Sequence, residues 1–250
     1  MLDPTKTQFD SSQYQHVYPE GIERHWWHLT RNEVILGWLR REGATCDVLD
    51  VGCGRGIVLA HLRAHGIDGV GVELGVAKPL AAVRDHIRYG LDARQIPTDE
   101  RARYRTLTLF DVLEHLPEPE AFLRDLIAAY PVVDRLVVTV PACRELWSNF
   151  DLVNRHYRRY DAASLRELAA QAGCGVRRMS YFFHTPYLPA RMLAGEGKDN
   201  RRSTQVDAPH GFNNALHHLV AFAMRLDYTL LPSSLKGSSL IATLDVPGRS

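Results

Sequence analysis

Apolar and polar positions along this chain switch between two rhythms. One recurs every three or four residues, as on one face of a helix; the other is a short continuous apolar run, as in a strand buried on both faces. "RNEVILGWLRREG" has the helical spacing and stops at Gly43. "CDVLDVGCG" is an apolar run ending in glycines, and "GIVLAHLRAHG" returns to helical spacing up to Gly66. "DGVGVEL" predicts a second strand and "KPLAAVRDHIRYG" a helix, while "RTLTLFDVLEHL" begins as a strand and turns over at Asp111. "PEAFLRDLIAAY" predicts a helix with proline near its start, where the missing N–H is tolerated. "DRLVVTVPA" predicts a strand stopped by Pro141, and "DAASLRELAAQAG" a helix between an Asp161 cap and Gly173. "GVRRMSYFF" and "SSLIATLDV" predict the last two strands, with the helical pattern of "FNNALHHLVAFAMRLDYTLLP" between them. Such alternation predicts an α/β fold, a doubly wound and mostly parallel sheet with helices on both faces.

With 250 residues, 45% of them hydrophobic, and no internal repeat, the chain can bury one full core, so residues 1–250 read as a single domain. Within it, an N-terminal lid segment is expected at about 1–42 and a substrate-side insertion at about 180–232. Thirty basic and 29 acidic residues are mixed along the chain, which leaves no electrostatic footprint for nucleic acid and favours a small acceptor. The stretch "MLDPTKTQFDSSQYQH" lacks an apolar core, and no run reaches the roughly 18 apolar residues of a spanning helix, so a cytoplasmic protein is expected. Cys46, Cys53, Cys143 and Cys174 form no metal-type pair and are expected as free thiols, with no structural zinc.

The densest chemistry is in "VLDVGCGRG", where Gly52, Gly54 and Gly56 follow the first strand. In wound sheets ligands sit beyond the carboxyl ends of the strands; glycines there let a ligand touch backbone, and the next helix offers free N–H groups to an anion. A pyrophosphate fingerprint places its third glycine three positions after the second, whereas Gly56 follows Gly54 by two. Glu73, at the end of the second strand, can accept both ribose hydroxyls, and Asp92, taken as the cap of the third strand, can accept from an adenine amino group. Together these residues point to an adenosyl ligand without a diphosphate.

On these residues the chain resembles the class I S-adenosylmethionine-dependent methyltransferases. "VLDVGCGRG" is similar to their first motif, "LDARQIP" to the segment that contacts adenine, and "LFDVLEHLPEPEAFLRDL" to their fourth-strand motif. "HWWHLTRNEVI" and "VPACRELWSNFDLVNRHYRRYDAASLRELAAQAG" resemble a bacterial branch related to the ubiquinone-type methyltransferases. The resemblance implies a Rossmann-like sheet of seven strands in the order 3-2-1-4-5-7-6 with the last strand antiparallel. It implies S-adenosyl-L-methionine as cofactor, with contacts on Asp50, Gly52, Gly54, Glu73, Asp92, Ala93 and Asp111, and methyl transfer to oxygen or nitrogen of a small or medium-sized metabolite.

A sulfonium methyl is already activated, so the protein mainly holds the nucleophile in line; a hydroxyl acceptor also benefits from a base with pKa near the operating pH. His115, after the fourth strand, and His156, after the fifth, are the candidates, each weighed against a purely structural role. Arg155, Arg158 and Arg159 with Tyr157 and Tyr160 offer forks and rings to a carboxylate or phosphate, or else pair with Asp151 and Asp161 on the surface. Trp147 is a stacking candidate, and Trp26 belongs to the lid that "HWWH" suggests. The last helix packs on the domain, forms a dimer face, or rests on a membrane surface; the chain is expected as monomer or homodimer. His217 and His218 are adjacent and point to different helix faces, so no metal is expected there. Two other readings stay open: a non-catalytic cofactor-binding partner subunit, and a nicotinamide-dependent oxidoreductase, which the glycine spacing disfavours.

Overall fold

Val48–Val51 form the first strand, β1, and every residue of it is buried. It runs parallel to β2 (Gly69–Glu73) on one side and β4 (Thr106–Phe110) on the other, which sets Asp50 beside Gly71 and Thr108. The computed structural model describes residues 18–194 and 208–248. β3 (Ile87–Tyr89) adds to β2, and β5 (Arg135–Pro141) to β4, all parallel. β7 (Ser239–Asp245) lies antiparallel between β5 and β6 (Gly175–Phe182), so the seven-stranded order is 3-2-1-4-5-7-6. This is the expected Rossmann-like sheet.

Alternation along the strands splits the core into two layers. Leu136, Val138 and Val140 of β5 join Leu107 and Leu109 of β4 in one cluster, against α3 (Pro119–Ala129) and α4 (Ala162–Gln171). Val137 of β5 and Ile241 of β7 face the other way, against α1 (Trp26–Arg41) and α2 (Ile57–Ala64). Burial on both faces explains why the strands read as unbroken apolar runs.

Two expectations change. The stretch expected as one helix over "KPLAAVRDHIRYG" is a 3-10 turn, Ala81–His86, followed by β3 itself. Three residues carry no periodicity that separates strand from helix, and the parallel register with Gly71, Val72 and Glu73 decides the outcome. Asp92 accordingly lies beyond the third strand, capping a second 3-10 turn, Ala93–Gln95. Of the segment about 1–42, Trp26–Arg41 form the helix α1, with Ile35 and Leu39 fully buried; residues 1–17 lie outside the described residues.

Between β6 and β7 the chain leaves the sheet to form α5 (Tyr187–Leu193) and α6 (Phe212–Leu230). The polar tract in between lies at 195–207 outside the described residues. α6 packs beside α1: His217 Nδ1 accepts from the Trp26 N–H at 3.0 Å. Asp227 fixes the return, accepting from the N–H groups of His184 and Thr185 at 2.9 Å each. Trp38 of α1 donates to Thr243 of β7 at 2.8 Å, tying the first helix to the last strand. All four cysteines are free thiols.

Candidate active site

The glycine loop turns on left-handed backbone. Gly52, Gly54 and Gly56 have φ of 74°, 54° and 76°, where a side chain is strained. Space reinforces the choice: a Cβ at Gly52 would stand 2.8 Å from the Val112 side chain, and one at Gly56 2.5 Å from Ile87. Glu73 holds the loop in place. Its Oε2 accepts from the Gly54 N–H at 2.9 Å and its Oε1 from the Gly75 N–H at 2.8 Å, and each oxygen keeps a further lone pair. Tyr89 braces the same loop, donating to the Gly54 carbonyl at 2.9 Å. Behind it, Asp50 accepts from the Thr108 hydroxyl at 2.9 Å, and burial raises its acid to about 7.

Asp92 accepts from the Arg94 N–H at 2.8 Å and pairs with the Arg94 guanidinium. Burial pushes its acid up, yet those Arg94 bonds hold it below the usual carboxylate range. The Ala93 carbonyl accepts from the Tyr130 hydroxyl at 2.7 Å. Asp111 stands at the end of β4 with φ of 58°, its N–H donating to the Thr139 carbonyl at 2.9 Å.

Sequence reasoning did not single out the groups facing Asp111. Arg31 of α1 is buried, reaches Asp111 Oδ2 at 2.6 Å, and lies over the rings of Trp27 and Phe110. Glu114 is 1% exposed, and burial, reinforced by Asp111, pushes its acid well above the carboxylate range. Tyr18 joins them, its hydroxyl raised to about 12 by burial and by Asp111. His28 is held neutral, pushed down to about 3 by burial and then by Arg31. Arg31 Nε, Glu114 Oε2 and His28 Nδ1 are buried with no partner among the described residues. The one available signal was an arginine inside an apolar helical stretch.

His115 and His156, remote in sequence, come together with ring centroids 4.7 Å apart. His156 Nδ1 is bonded to Asp151 Oδ1 at 2.8 Å, and Asp151, fully buried, also accepts from Arg159 Nε at 2.8 Å and the Ser148 N–H at 2.9 Å. Burial and then His156 push His115 down to about 3. One donor atom from each of Glu114, His115 and His156 falls within 4.8 Å of the others, a spacing a divalent cation spans, although the sequence pointed to no metal. Trp147, Tyr157, Arg158 and Tyr160 all line a cavity of about 690 Å³ between α3 and α4. None of the glycine-loop residues nor Glu73 lines it. Tyr160 is largely built into the core, its hydroxyl donating to the Leu113 carbonyl at 3.1 Å, and Arg158 donates to the Pro117 carbonyl. Trp26 packs edge-on to Phe183 at 5.7 Å.

A family model described as a methyltransferase domain matches residues 13–178. The ubiquinone biosynthesis O-methyltransferase of Acinetobacter baumannii (strain AYE) is 34% identical over 105 residues, covering 37% of this chain and 44% of that protein. The enzyme of the same name from Pseudomonas paraeruginosa (strain DSM 24068 / PA7) is 32% identical over 123 residues, 42% of this chain and 53% of that protein. The chain thus matches about half the length of these curated relatives. Among solved structures, magnesium protoporphyrin IX methyltransferase from Synechocystis PCC 6803 with bound SAH aligns at a TM-score of 0.54 and 15% identity, over 94% of this chain and 93% of that one. The methyltransferase domain of bacterial CtHen1-CN aligns at 0.51 and 16%, over 86% and 97%. At such identities the likeness is one of fold.

Proposed function

The chain belongs to the methyltransferase-domain family, and from that premise we propose that it transfers a methyl group from S-adenosylmethionine to oxygen or nitrogen of a small or medium-sized metabolite. The observation that carries this reading is Glu73, clamped by the Gly54 and Gly75 N–H groups with lone pairs left for a ribose diol. The donor set fits the rest of such a cofactor. Arg31 offers a guanidinium to a carboxylate and Asp111 a carboxylate to an ammonium, with Arg31 Nε and Glu114 Oε2 still unpartnered. When bound, the cofactor supplies a methyl group on a positively charged sulfur, already activated for displacement.

This chain's residues supply the rest. Asp50, Gly52, Gly54, Glu73, Asp92, Ala93 and Asp111 are the proposed cofactor contacts, placed at the carboxyl ends of β1 to β4. His156, oriented by Asp151 through Nδ1, keeps Nε2 to take the proton of a hydroxyl acceptor, beside a neutral His115. Calorimetric titration with S-adenosylhomocysteine, and with NAD as control, tests the reading. Micromolar binding of the first alone is expected, weakened in Glu73→Ala by roughly 1.5 to 3 kcal/mol for each hydrogen bond lost. Binding of NAD alone, or a Glu73→Ala affinity equal to the parent's, overturns it. Methyl-transfer assays on phenols and amines then identify the acceptor.

A further inference from the structure

α6 has two apolar faces. One, through Ala221, Met224 and Tyr228, packs on the domain. The other carries Leu216, Leu219, Phe222, Leu226 and Leu230, each between 44% and 75% exposed, with Ala223 at its centre. Leu216, Leu219, Ala223, Leu226 and Leu230 follow one another at spacings of three, four, three and four residues. That is the stripe through which one helix packs against another.

We propose that this face pairs with the same face of a second copy of the chain, about a two-fold axis passing Ala223. Five large side chains, on average more than half exposed, form an apolar patch in the range of the largest that monomers leave uncovered, about 300 to 600 Å². With its rim, such a patch approaches the about 800 Å² per partner of a stable interface. Charge favours a like partner. The stripe is flanked by Val220, Phe222 and Thr229, and Asp227 is buried and committed to His184 and Thr185, so among the described residues of α6 no exposed charge stands beside it to repel its own copy. A lipid surface calls for lysines and arginines along the helix, but the only one on α6, Arg225, is paired with Glu33 at 3.4 Å. The polar tract 195–207 contains a single large apolar residue, Val206.

Light scattering on the full chain during size-exclusion chromatography tests this. A mass of twice 28.2 kDa is expected, falling to the monomer value in the double variant Leu219→Glu, Leu226→Glu with its circular dichroism unchanged. If that variant misfolds, Ala223→Cys in a Cys46→Ser background keeps the question open to decision. Mild oxidation, which takes two electrons from two thiols, should then give a reducible band at dimer mass. A parent that stays monomeric at every concentration, a dimer that survives the double variant while folded, an Ala223→Cys chain that does not cross-link, or a monomer that co-floats with phosphatidylglycerol vesicles each overturns the proposal.

Discussion

Glu73 and Asp50 are both buried on adjacent strands of the sheet, and their surroundings treat them differently. Glu73 receives two backbone N–H groups, while Asp50 receives one threonine hydroxyl and little else to offset its loss of water. The unfolded chain ionises Asp50 above about pH 4, whereas the folded protein keeps its proton up to about 7. Between those values the folded state binds the extra proton, so this group's contribution to stability falls as pH rises. Asp50→Asn keeps an acceptor for Thr108 and removes that dependence. Relative to the parent, it should gain on the order of 1 kcal/mol per pH unit from about 4 to 7, read from urea melts across that range. His156 carries a separate prediction: His156→Ala should lower turnover about 100-fold or more and leave S-adenosylhomocysteine affinity unchanged, whereas loss of that affinity would make the residue structural. The proposed cofactor residues were legible because glycine and carboxylate positions follow directly from strand ends. Arg31 was not: it lies 80 positions before Asp111, and only the stacking of α1 on β4 and β5 brings the two within bonding distance.

At the scale of elements, the best-read boundaries are those with local chemistry. Asp161 Oδ1 accepts from the Ser164 N–H at 2.8 Å, and Ser164 Oγ accepts from the Asp161 N–H at 2.9 Å, a reciprocal cap that starts α4 where the sequence places it. Asp161→Ala should cost about 1 kcal/mol and lower the melting temperature by about 2 to 4 °C. β3 had no such signal, since three residues gain strand form only from their neighbour. The 3-10 turn Leu113–His115 after β4 and the short helix Asn149–Val153 after β5 were equally hidden, yet they bring His115 and His156 together. Backbone strain marks the same edge of the sheet: Asp111, Cys143 and Phe183, just past β4, β5 and β6, have φ of 58°, 64° and 60°.

For the molecule as a whole, β7 decides whether the sheet is continuous. It bonds to β5 on one side and β6 on the other, and holds α1 through Trp38 and Thr243. A chain cut to residues 1–238 leaves both strands with open edges and exposes Leu240, Ile241 and Leu244 counterparts in both core layers; it should be recovered as insoluble protein, checked by the soluble fraction on expression.

The position of β7 also sets a timetable for biosynthesis. Ser239, the start of β7, lies 98 positions after Pro141, the end of β5. At about 5 to 20 residues per second, a ribosome takes roughly 5 to 20 s to cross that interval. Throughout it, the nascent chain has made β1 to β5 and, later, β6, but not the strand that joins them. The half-built sheet is therefore a natural client for a chaperone that shields open edges, and slowing translation between β6 and β7 should lower the yield of folded protein.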